Sequence, residues 1–341
     1  MRAHSPAIVP SRWDKNTIRR AVFPTKAVAQ TKIVNFFCKN KKCPWQNKIL
    51  LCIIVLIKIG DVWVLVNIIV FAVLALIIAA LLCFLCSIKA WVGIFIFLGA
   101  FILLQVLYLM FFYIASFAVD QSKPLEKQNR LCRTAVANVI GMMCAYSGLR
   151  PHFTGLELLP KDRRFVLVCN HRSLFDPLIV MDRLREYNIA FISKPSNLKL
   201  PIAGRIAYGA GFLAIDREND RKALTTILTA ADYLKRDICS MGIYPEGSRT
   251  KTGDMLPFHA GSFKIAQRAN VPLVIAAIHG SENVRKNLPL RHTDVYMDFL
   301  ELLPPEKVKS MSTGELSEYS RGLIQARLDE CPPYGESEKR G

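Results

Sequence analysis

The stretch FVLVCNHRSLFDP, residues 165–177, decides the fold of this chain. Its first five residues are apolar and partly β-branched, which predicts a short buried strand. Pro177 is well placed as the first residue of a helix that runs to about Glu186, with Asp176 as its N-cap. A strand followed by a loop and a helix is the unit of an α/β domain, and catalytic groups gather where such strands end.

The loop between this strand and this helix carries His171 and, five residues later, Asp176. A neutral imidazole removes a proton from a hydroxyl only when its other ring nitrogen is held as a donor, and a nearby carboxylate can hold it. The pattern predicts that His171 is a general base and that Asp176 orients it. A purely structural interpretation stays open, in which Asp176 only caps the helix and His171 is an ordinary loop residue.

The segment YPEGSRT, residues 244–250, follows another predicted strand and forms a second candidate loop. The amides around Gly247 and Ser248 can turn toward an anion, and Arg249 offers a planar guanidinium to phosphate oxygens. Glu246 suits such a site only if it pairs with a cation or receives a substrate hydroxyl. Taken alone, the residues EGSR are also compatible with an ordinary turn.

A third basic point is Arg217, which follows the predicted strand of GFLAIDR, residues 211–217. It either faces a phosphate together with Arg249 or pairs with Asp216 or Glu218 at the surface. The nearby GAGFLA, residues 209–214, fits a dinucleotide-binding pattern, but its glycines precede a strand where that fingerprint requires them to follow one.

Hydropathy separates the chain into two parts. The chain is 52% hydrophobic, and between Val62 and Val119 the single charged residue is Lys89. One helix of that length would be about 87 Å long, whereas a bilayer core is about 30 Å thick. The run therefore predicts two membrane spans, at about 62–86 and 94–119, joined near Ser87–Gly93 as a hairpin. The shorter apolar segment 49–57 is expected to lie at the interface.

The first 61 residues contain 12 Lys and Arg against 2 acidic residues, a net +10 of the chain's +18. Such a segment is expected to be largely disordered or interfacial, to lie in the cytoplasm and to attract anionic lipid headgroups. A hairpin returns the remaining chain to that same face. Nucleic acid is not an expected partner, because no zinc-finger, helix-turn-helix or RNP pattern occurs. The ten cysteines form no recognisable disulfide or metal-binding pattern, so reduced thiols, no metal and no cofactor are expected.

The remaining residues predict a globular domain at 120–330 and a polar tail at 331–341. Strands are predicted near 153–158, 165–169, 189–193, 211–215, 241–244, 272–278 and 294–301, with helices near 128–146, 200–207, 219–236, 260–268 and 313–329. Strands that alternate with helices indicate an α/β fold, with a mainly parallel or mixed sheet flanked by helices and preceded by the membrane hairpin.

These blocks, in this order, resemble the 1-acyl-sn-glycerol-3-phosphate acyltransferases, the PlsC-like family. Its first motif, NH-x-S-x-x-D-P, is matched at 170–177, and its E-G-T/S-R-S/T motif at 246–250. The F-x-x-D-R motif is matched by Phe212, Asp216 and Arg217 with one extra residue. The final V-P-[IV]-V-P motif begins at Val271, but Ile275 stands where a second proline is frequent. The likeness covers about residues 153–279.

The resemblance implies a glycerolipid acyltransferase-like fold and a reaction in which His171, oriented by Asp176, activates the hydroxyl of a lysophospholipid. That hydroxyl would attack an acyl thioester, either acyl-CoA or acyl carrier protein, as co-substrate and without an acyl-enzyme. The implied phosphate-binding residues are Lys194, Arg217, Glu246, Gly247, Ser248 and Arg249. Lysophosphatidic acid is the expected acceptor, with glycerol 3-phosphate or another lysolipid as alternatives.

Two other classes of function stay open from the sequence. A serine-type lipid hydrolase would need a nucleophile such as Ser173 or Ser248, although no G-x-S-x-G elbow occurs. A non-catalytic membrane scaffold would explain the hairpin and the basic segment, but it leaves the ordered polar motifs without a role.

Overall fold

The computed structural model describes residues 62–333, apart from residues 202, 251, 289 and 290. The basic segment 1–61, with the apolar segment 49–57 expected at the interface, lies outside the described residues. The same holds for most of the polar tail.

Two long apolar helices begin the described part of the chain, α1 (Val62–Leu85) and α2 (Ala90–Ser116). Their most apolar stretches, Ile68–Leu85 and Trp91–Ser116, are long and apolar enough to cross a membrane and leave most of their side chains exposed. The turn between them contains Ser87, with a φ of 50°, and Lys89. The predicted helical hairpin is therefore present, with its break a few residues earlier than the sequence predicts.

A seven-stranded sheet forms the centre of the remaining domain, with the order β1-β7-β6-β2-β5-β3-β4. Its strands are β1 (Leu149–Thr154), β2 (Val166–Cys169), β3 (Ile189–Ser193), β4 (Leu213–Ala214), β5 (Ser240–Ile243), β6 (Leu273–His279) and β7 (Thr293–Leu303). β6, β2, β5, β3 and β4 are parallel to one another, whereas β7 pairs antiparallel with β6 and parallel with β1. The predicted α/β fold with a mixed sheet is confirmed.

Helices cover both faces of the sheet. They are α3 (Arg130–Tyr146), α4 (Asp176–Arg183), α5 (Pro195–Leu198), α6 (Ala203–Gly209), α7 (Asp220–Lys235), α8 (Lys264–Ala269), α9 (Val284–Asn287), α10 (Pro305–Ser310) and α11 (Thr313–Asp329). Alternate residues of β2 and β6 belong to two separate apolar clusters, one on each face. This period of two is what a strand buried on both sides requires.

Two local predictions are wrong. The strand predicted at 153–158 begins earlier, as β1, and ends at Thr154. Gly155 follows with a φ of 72°, and the chain turns there into a short 3-10 helix. A Cβ at this position would lie 2.3 Å from the carbonyl oxygen of Phe299, so the turn requires glycine. Asp176 is also not an N-cap: α4 begins at Asp176 itself, and no side chain caps it.

The direction of the strands decides which loops share an edge. The parallel strands end at Cys169, Ser193, Ile243 and His279, so the loops that follow them meet at one edge, here called the catalytic edge. Because β1 and β7 run the other way, they begin at this edge, and His279 pairs with Tyr296 near the start of β7. The C-terminal end of α3 therefore also reaches the catalytic edge.

Candidate active site

The loop after β2 is fixed to the sheet by Asn170. Its side-chain amide donates to the carbonyl oxygen of Ile278 at 2.9 Å, and its side-chain oxygen accepts the N–H of Ile278 at 2.8 Å. Asn170 is almost fully buried. This paired contact to β6 sets the position from which the next residue, His171, leaves the sheet.

His171 and Asp176 are paired as the sequence predicts, with 2.9 Å between Nδ1 and Oδ2. Oδ2 also accepts the N–H groups of Arg172 and Ser173, each at 2.8 Å. The carboxylate is fully buried, and the imidazole keeps 18% of its surface exposed. Asp176 thus holds both the ring and the loop that carries it, and with Nδ1 as donor, Nε2 is left as the basic nitrogen.

An aromatic stack fixes the plane of the imidazole. The His171 ring stacks on Tyr244 with 4.3 Å between centroids, and Tyr244 stacks on Phe191 at 5.3 Å. Burial raises the pKa of the Tyr244 hydroxyl well above its usual value. Tyr244 therefore stays neutral at physiological pH and packs against His171 as an uncharged ring.

Glu246 lies beneath the loop between β2 and α4 that carries His171, here called the catalytic loop. One of its carboxylate oxygens accepts the N–H of His171 at 2.6 Å and the other accepts the N–H of Leu256 at 2.9 Å. The residue is buried, and burial raises the pKa of its carboxyl, an effect that the two N–H donors oppose. Glu246, predicted among the phosphate-binding residues, joins the two motif loops in the structure through its carboxylate.

Gly247 brings two cationic or ionisable side chains together. It has a φ of 75°, and a Cβ there would lie 2.7 Å from Arg217 Nη1 and 3.1 Å from His259 Nε2. A side chain at this position would thus be strained and would displace Arg217. Partial burial lowers the pKa of Arg217, although its guanidinium stays charged at neutral pH.

A cavity of about 450 Å³ opens at this point, bounded by Arg217, Tyr244, Gly247, His259 and Lys264 together with apolar side chains of β3, β5 and α7. His171 does not line it directly but stacks on Tyr244, which does. The lining therefore combines the basic side chains of Arg217 and Lys264 and the carboxylate of Asp220 with apolar side chains.

The remaining predicted phosphate-binding residues lie on the catalytic edge without fixed contacts. Lys194 follows β3, and Ser248 and Arg249 follow Gly247; all three are exposed. Within the described ranges no ion pair or hydrogen bond holds their side chains. Arg249 is nevertheless anchored through its neighbour, because the N–H of Thr250 donates to the carbonyl oxygen of His171 at 3.1 Å.

Several residues of the site were not predicted from the sequence. His259 and Lys264 line the cavity, yet they belong to no recognisable motif. Arg172 pairs with Glu282 at 3.0 Å between Nη1 and Oε1, and both side chains are buried. The ion pair joins the catalytic loop to the turn after β6. A buried arginine inside the first motif is a weak signal, and no pattern names its partner 110 residues away.

Comparison with known proteins identifies the domain. Residues 150–279, from β1 to the end of β6, match the family model described as Acyltransferase. This part of the chain is therefore an acyltransferase domain. The resemblance drawn from the motifs is confirmed, and the matched residues include the His171–Asp176 pair and the Glu246–Arg249 loop.

Relatives of this acyltransferase carry more specific names. It is 27% identical over 168 residues to the 1-acyl-sn-glycerol-3-phosphate acyltransferase of Salmonella typhimurium, covering 48% of this chain and 67% of that protein. It is 35% identical over 129 residues to the human 1-acyl-sn-glycerol-3-phosphate acyltransferase beta, covering 38% and 46%. The crystal structure of the 1-acyl-sn-glycerophosphate (LPA) acyltransferase PlsC from Thermotoga maritima is 23% identical, with a TM-score of 0.48 over 66% of this chain and 88% of that one.

Proposed function

We propose that this acyltransferase moves a fatty acyl group from an acyl thioester to the sn-2 hydroxyl of lysophosphatidic acid, which yields phosphatidic acid. The observation that carries the proposal is the buried Asp176 carboxylate, 2.9 Å from His171 Nδ1, beside a cavity that basic and apolar side chains line. The names of the relatives agree with this acceptor. Glycerol 3-phosphate and other lysolipids are the alternative acceptors.

In the proposed reaction, Nε2 of His171 removes the proton of the acceptor hydroxyl as its oxygen attacks the thioester carbonyl carbon. The resulting imidazolium is stabilised by Asp176. Collapse of the tetrahedral intermediate breaks the carbon–sulfur bond, and the leaving thiolate takes the proton from His171. Transfer is direct, so no side chain is acylated.

Arg217, Lys194 and Arg249 are the proposed phosphate-binding residues. Arg217 lines the cavity beside Gly247, and the other two cations lie on the same edge of the sheet. A guanidinium matches the geometry of phosphate oxygens and binds them through two hydrogen bonds. The acyl donor is either acyl-CoA or acyl carrier protein, and the positive charge of the chain suits either acidic molecule.

The hairpin of α1 and α2 is proposed to anchor the enzyme in a membrane, with the catalytic domain on the cytoplasmic face. A lysophospholipid acceptor lives in the bilayer, and removing its chain from lipid costs about 0.8 kcal/mol for each methylene. A site anchored at the membrane surface avoids that cost, because the substrate need not leave the bilayer completely.

The direct test replaces His171 by alanine in full-length protein in membranes. Acyl transfer from acyl-CoA to lysophosphatidic acid, scored by product mass, should fall by about 10²- to 10⁴-fold or more, while the thermal unfolding midpoint changes little. His152→Ala is the matched control, because His152 is also bonded to a carboxylate, Asp294, at 2.9 Å, and its more exposed ring lies on β1. Its activity should stay within about twofold, as expected of a surface substitution.

Unchanged transfer by the His171→Ala protein excludes the imidazole as the base. A panel with glycerol 3-phosphate and other lysolipids then identifies the preferred acceptor by kcat/KM. A stable acyl adduct on Ser173 or Ser248 would instead favour the hydrolase interpretation, since direct transfer leaves neither residue modified.

A further inference from the structure

The direction of α3 relates the catalytic edge to the hairpin. Near its start, Cys132 lies close to Val119, which comes just after the end of α2. Both side chains lie within 3.0 Å of the point where a Cβ on Gly209 would be. Farther along α3, Asn138 bonds to the hydroxyl of Tyr108, which is well inside α2. α3 therefore runs back along α2, from the base of the hairpin toward its turn, and its C-terminal end points in the same direction as the turn.

The C-terminal end of α3 carries two exposed apolar side chains and meets a group of basic residues. Met143 is 41% exposed and Tyr146 is 63% exposed. Two residues farther on, the carbonyl oxygen of Gly148 accepts the N–H of Thr293. A Cβ added to Gly148 would lie 3.5 Å from the carbonyl oxygen of Arg291. The segment before β7 is thus packed against the end of α3.

That segment and the short helix α9 are basic. Arg285, Lys286 and Arg291 are exposed, and among the described residues no ion pair joins any of them to a carboxylate. Leu288, between them, is 37% exposed. The N–H of Arg291 donates to the carbonyl oxygen of Asn287, which keeps these residues together. Their carboxylate neighbours are engaged elsewhere: Glu282 pairs with Arg172, and Asp294 pairs with His152.

Basic side chains interleaved with exposed apolar and aromatic ones are typical of a surface that rests on anionic lipid headgroups. Lysine and arginine near such a leaflet are attracted to it, and tyrosine prefers the boundary between headgroups and acyl chains. The surface also lies on the catalytic edge and faces the direction in which the hairpin extends. A protein partner would not account for that shared direction.

We propose that Met143, Tyr146, Arg285, Lys286, Leu288 and Arg291, here called the headgroup surface, dock on an anionic phospholipid bilayer. This second contact, beside the hairpin, holds the catalytic edge against the membrane. The proposal rests on the membrane association proposed for the hairpin. Each basic residue contributes on the order of fivefold to such a contact, so the three together favour docking by on the order of a hundredfold. Raised salt weakens the contact.

The experiment compares hydrogen exchange of the full chain in nanodiscs of phosphatidylcholine with that in nanodiscs that also contain phosphatidylserine. Peptides covering residues 143–147 and 284–292 should exchange about tenfold more slowly in the anionic discs, because docking shields them. The triple variant Arg285→Glu, Lys286→Glu, Arg291→Glu should lose this protection. It should also lose any stimulation of acyl transfer by anionic lipid.

The matched control reverses three exposed basic residues at the opposite edge of the sheet: Lys161→Glu, Lys235→Glu and Arg268→Glu. These residues precede β2, β5 and β6, and the charge change is the same. The control should keep the protection. Equal exchange in neutral and anionic discs, or protection that survives in the triple variant, overturns the proposal.

Protection that is already complete in detergent without lipid assigns the surface to a protein contact and also overturns the proposal. Because exchange is measured without turnover, the result does not depend on the identity of the substrate. Resistance of the chain to extraction by alkaline carbonate separately tests the hairpin, so failure of the anchor and failure of the headgroup surface are distinguishable.

Discussion

The two sides of the active site are built in opposite ways. The catalytic loop is fixed by buried contacts from Asn170, Asp176 and Glu246, each of which binds backbone groups at 2.6 to 2.9 Å. The cationic rim of Lys194, Arg217 and Arg249 is exposed, and within it Arg217 lies beside Gly247 and lines the cavity. If His171 is the base and the rim binds phosphate, as proposed above, the base is oriented before substrate arrives, whereas the phosphate itself orders the rim.

This comparison predicts different kinetic effects for the two sides. Substitutions in the fixed loop should lower kcat, because they disturb an orientation needed in the transition state. Substitutions in the rim should raise the KM of the acceptor, because those side chains contribute mainly to binding.

The largest effect within the comparison is expected for Asp176→Asn. The amide keeps the shape but not the charge, so it holds the loop and the ring less firmly and does not stabilise the imidazolium. We expect kcat to fall by about 10²- to 10⁴-fold with little change in KM. Initial rates against acceptor concentration measure both. A raised KM at normal kcat would place Asp176 on the binding side and break the contrast.

Glu246→Gln should have an intermediate effect. Glutamine offers one carbonyl oxygen, so either His171 or Leu256 loses its acceptor, and a buried N–H without a partner costs about 1 to 3 kcal/mol. We expect kcat to fall about tenfold while the acceptor KM stays nearly constant. A rise confined to KM would mean that the carboxylate contacts substrate, as the sequence suggests.

The same variant has a pH signature. Burial raises the pKa of Glu246 in the folded protein, so the folded state binds this proton more readily than the unfolded chain. Its contribution is fully present below the usual carboxyl pKa and is lost as pH rises through the raised value. The wild-type unfolding midpoint should therefore fall relative to Glu246→Gln over the pH range above the usual glutamate pKa, which is about 4.3. A difference that is constant over this range contradicts the predicted shift.

Arg217→Ala tests the rim. Loss of a charged hydrogen bond to phosphate should raise the acceptor KM by about tenfold or more, since such bonds contribute about 1.5 to 3 kcal/mol. Arg249→Ala should raise it less, because Arg217 lines the cavity whereas Arg249 is not among the described residues that bound it. Competition by inorganic phosphate provides a second measure and should weaken in the same order. A loss of kcat alone would move Arg217 to the catalytic side.

Ser248→Ala should have the smallest effect, within about twofold in both kcat and KM, because its hydroxyl is exposed and bonds to no described residue. Ser173→Ala makes the same substitution in the loop that carries His171, where the Ser173 hydroxyl accepts the N–H of Phe175 at 3.3 Å. Abolished turnover in either variant would revive the hydrolase interpretation.

What the sequence predicts well is local. The pairing of His171 with Asp176 follows from their spacing within one loop, and the strands Ile189–Ser193 and Val166–Cys169 follow from short apolar runs. Prediction from the sequence fails where the local structure depends on contacts between segments that are far apart in the chain. The turn at Gly155 depends on the close approach of Phe299, and the role of Glu246 depends on the backbone of His171, 75 residues away. The positions of His259 and Arg172 depend likewise on tertiary contacts.

The reversed strands β1 and β7 have a consequence for how related chains can differ. Because both begin at the catalytic edge, the chain enters β7 there through Arg291 and His292, and neither residue forms any of the hydrogen bonds that orient His171. Their charge can therefore change without altering the contacts that hold the imidazole. Under the docking proposed for the headgroup surface, adaptation to bilayers of different lipid composition can accumulate at such positions while the chemistry stays constant.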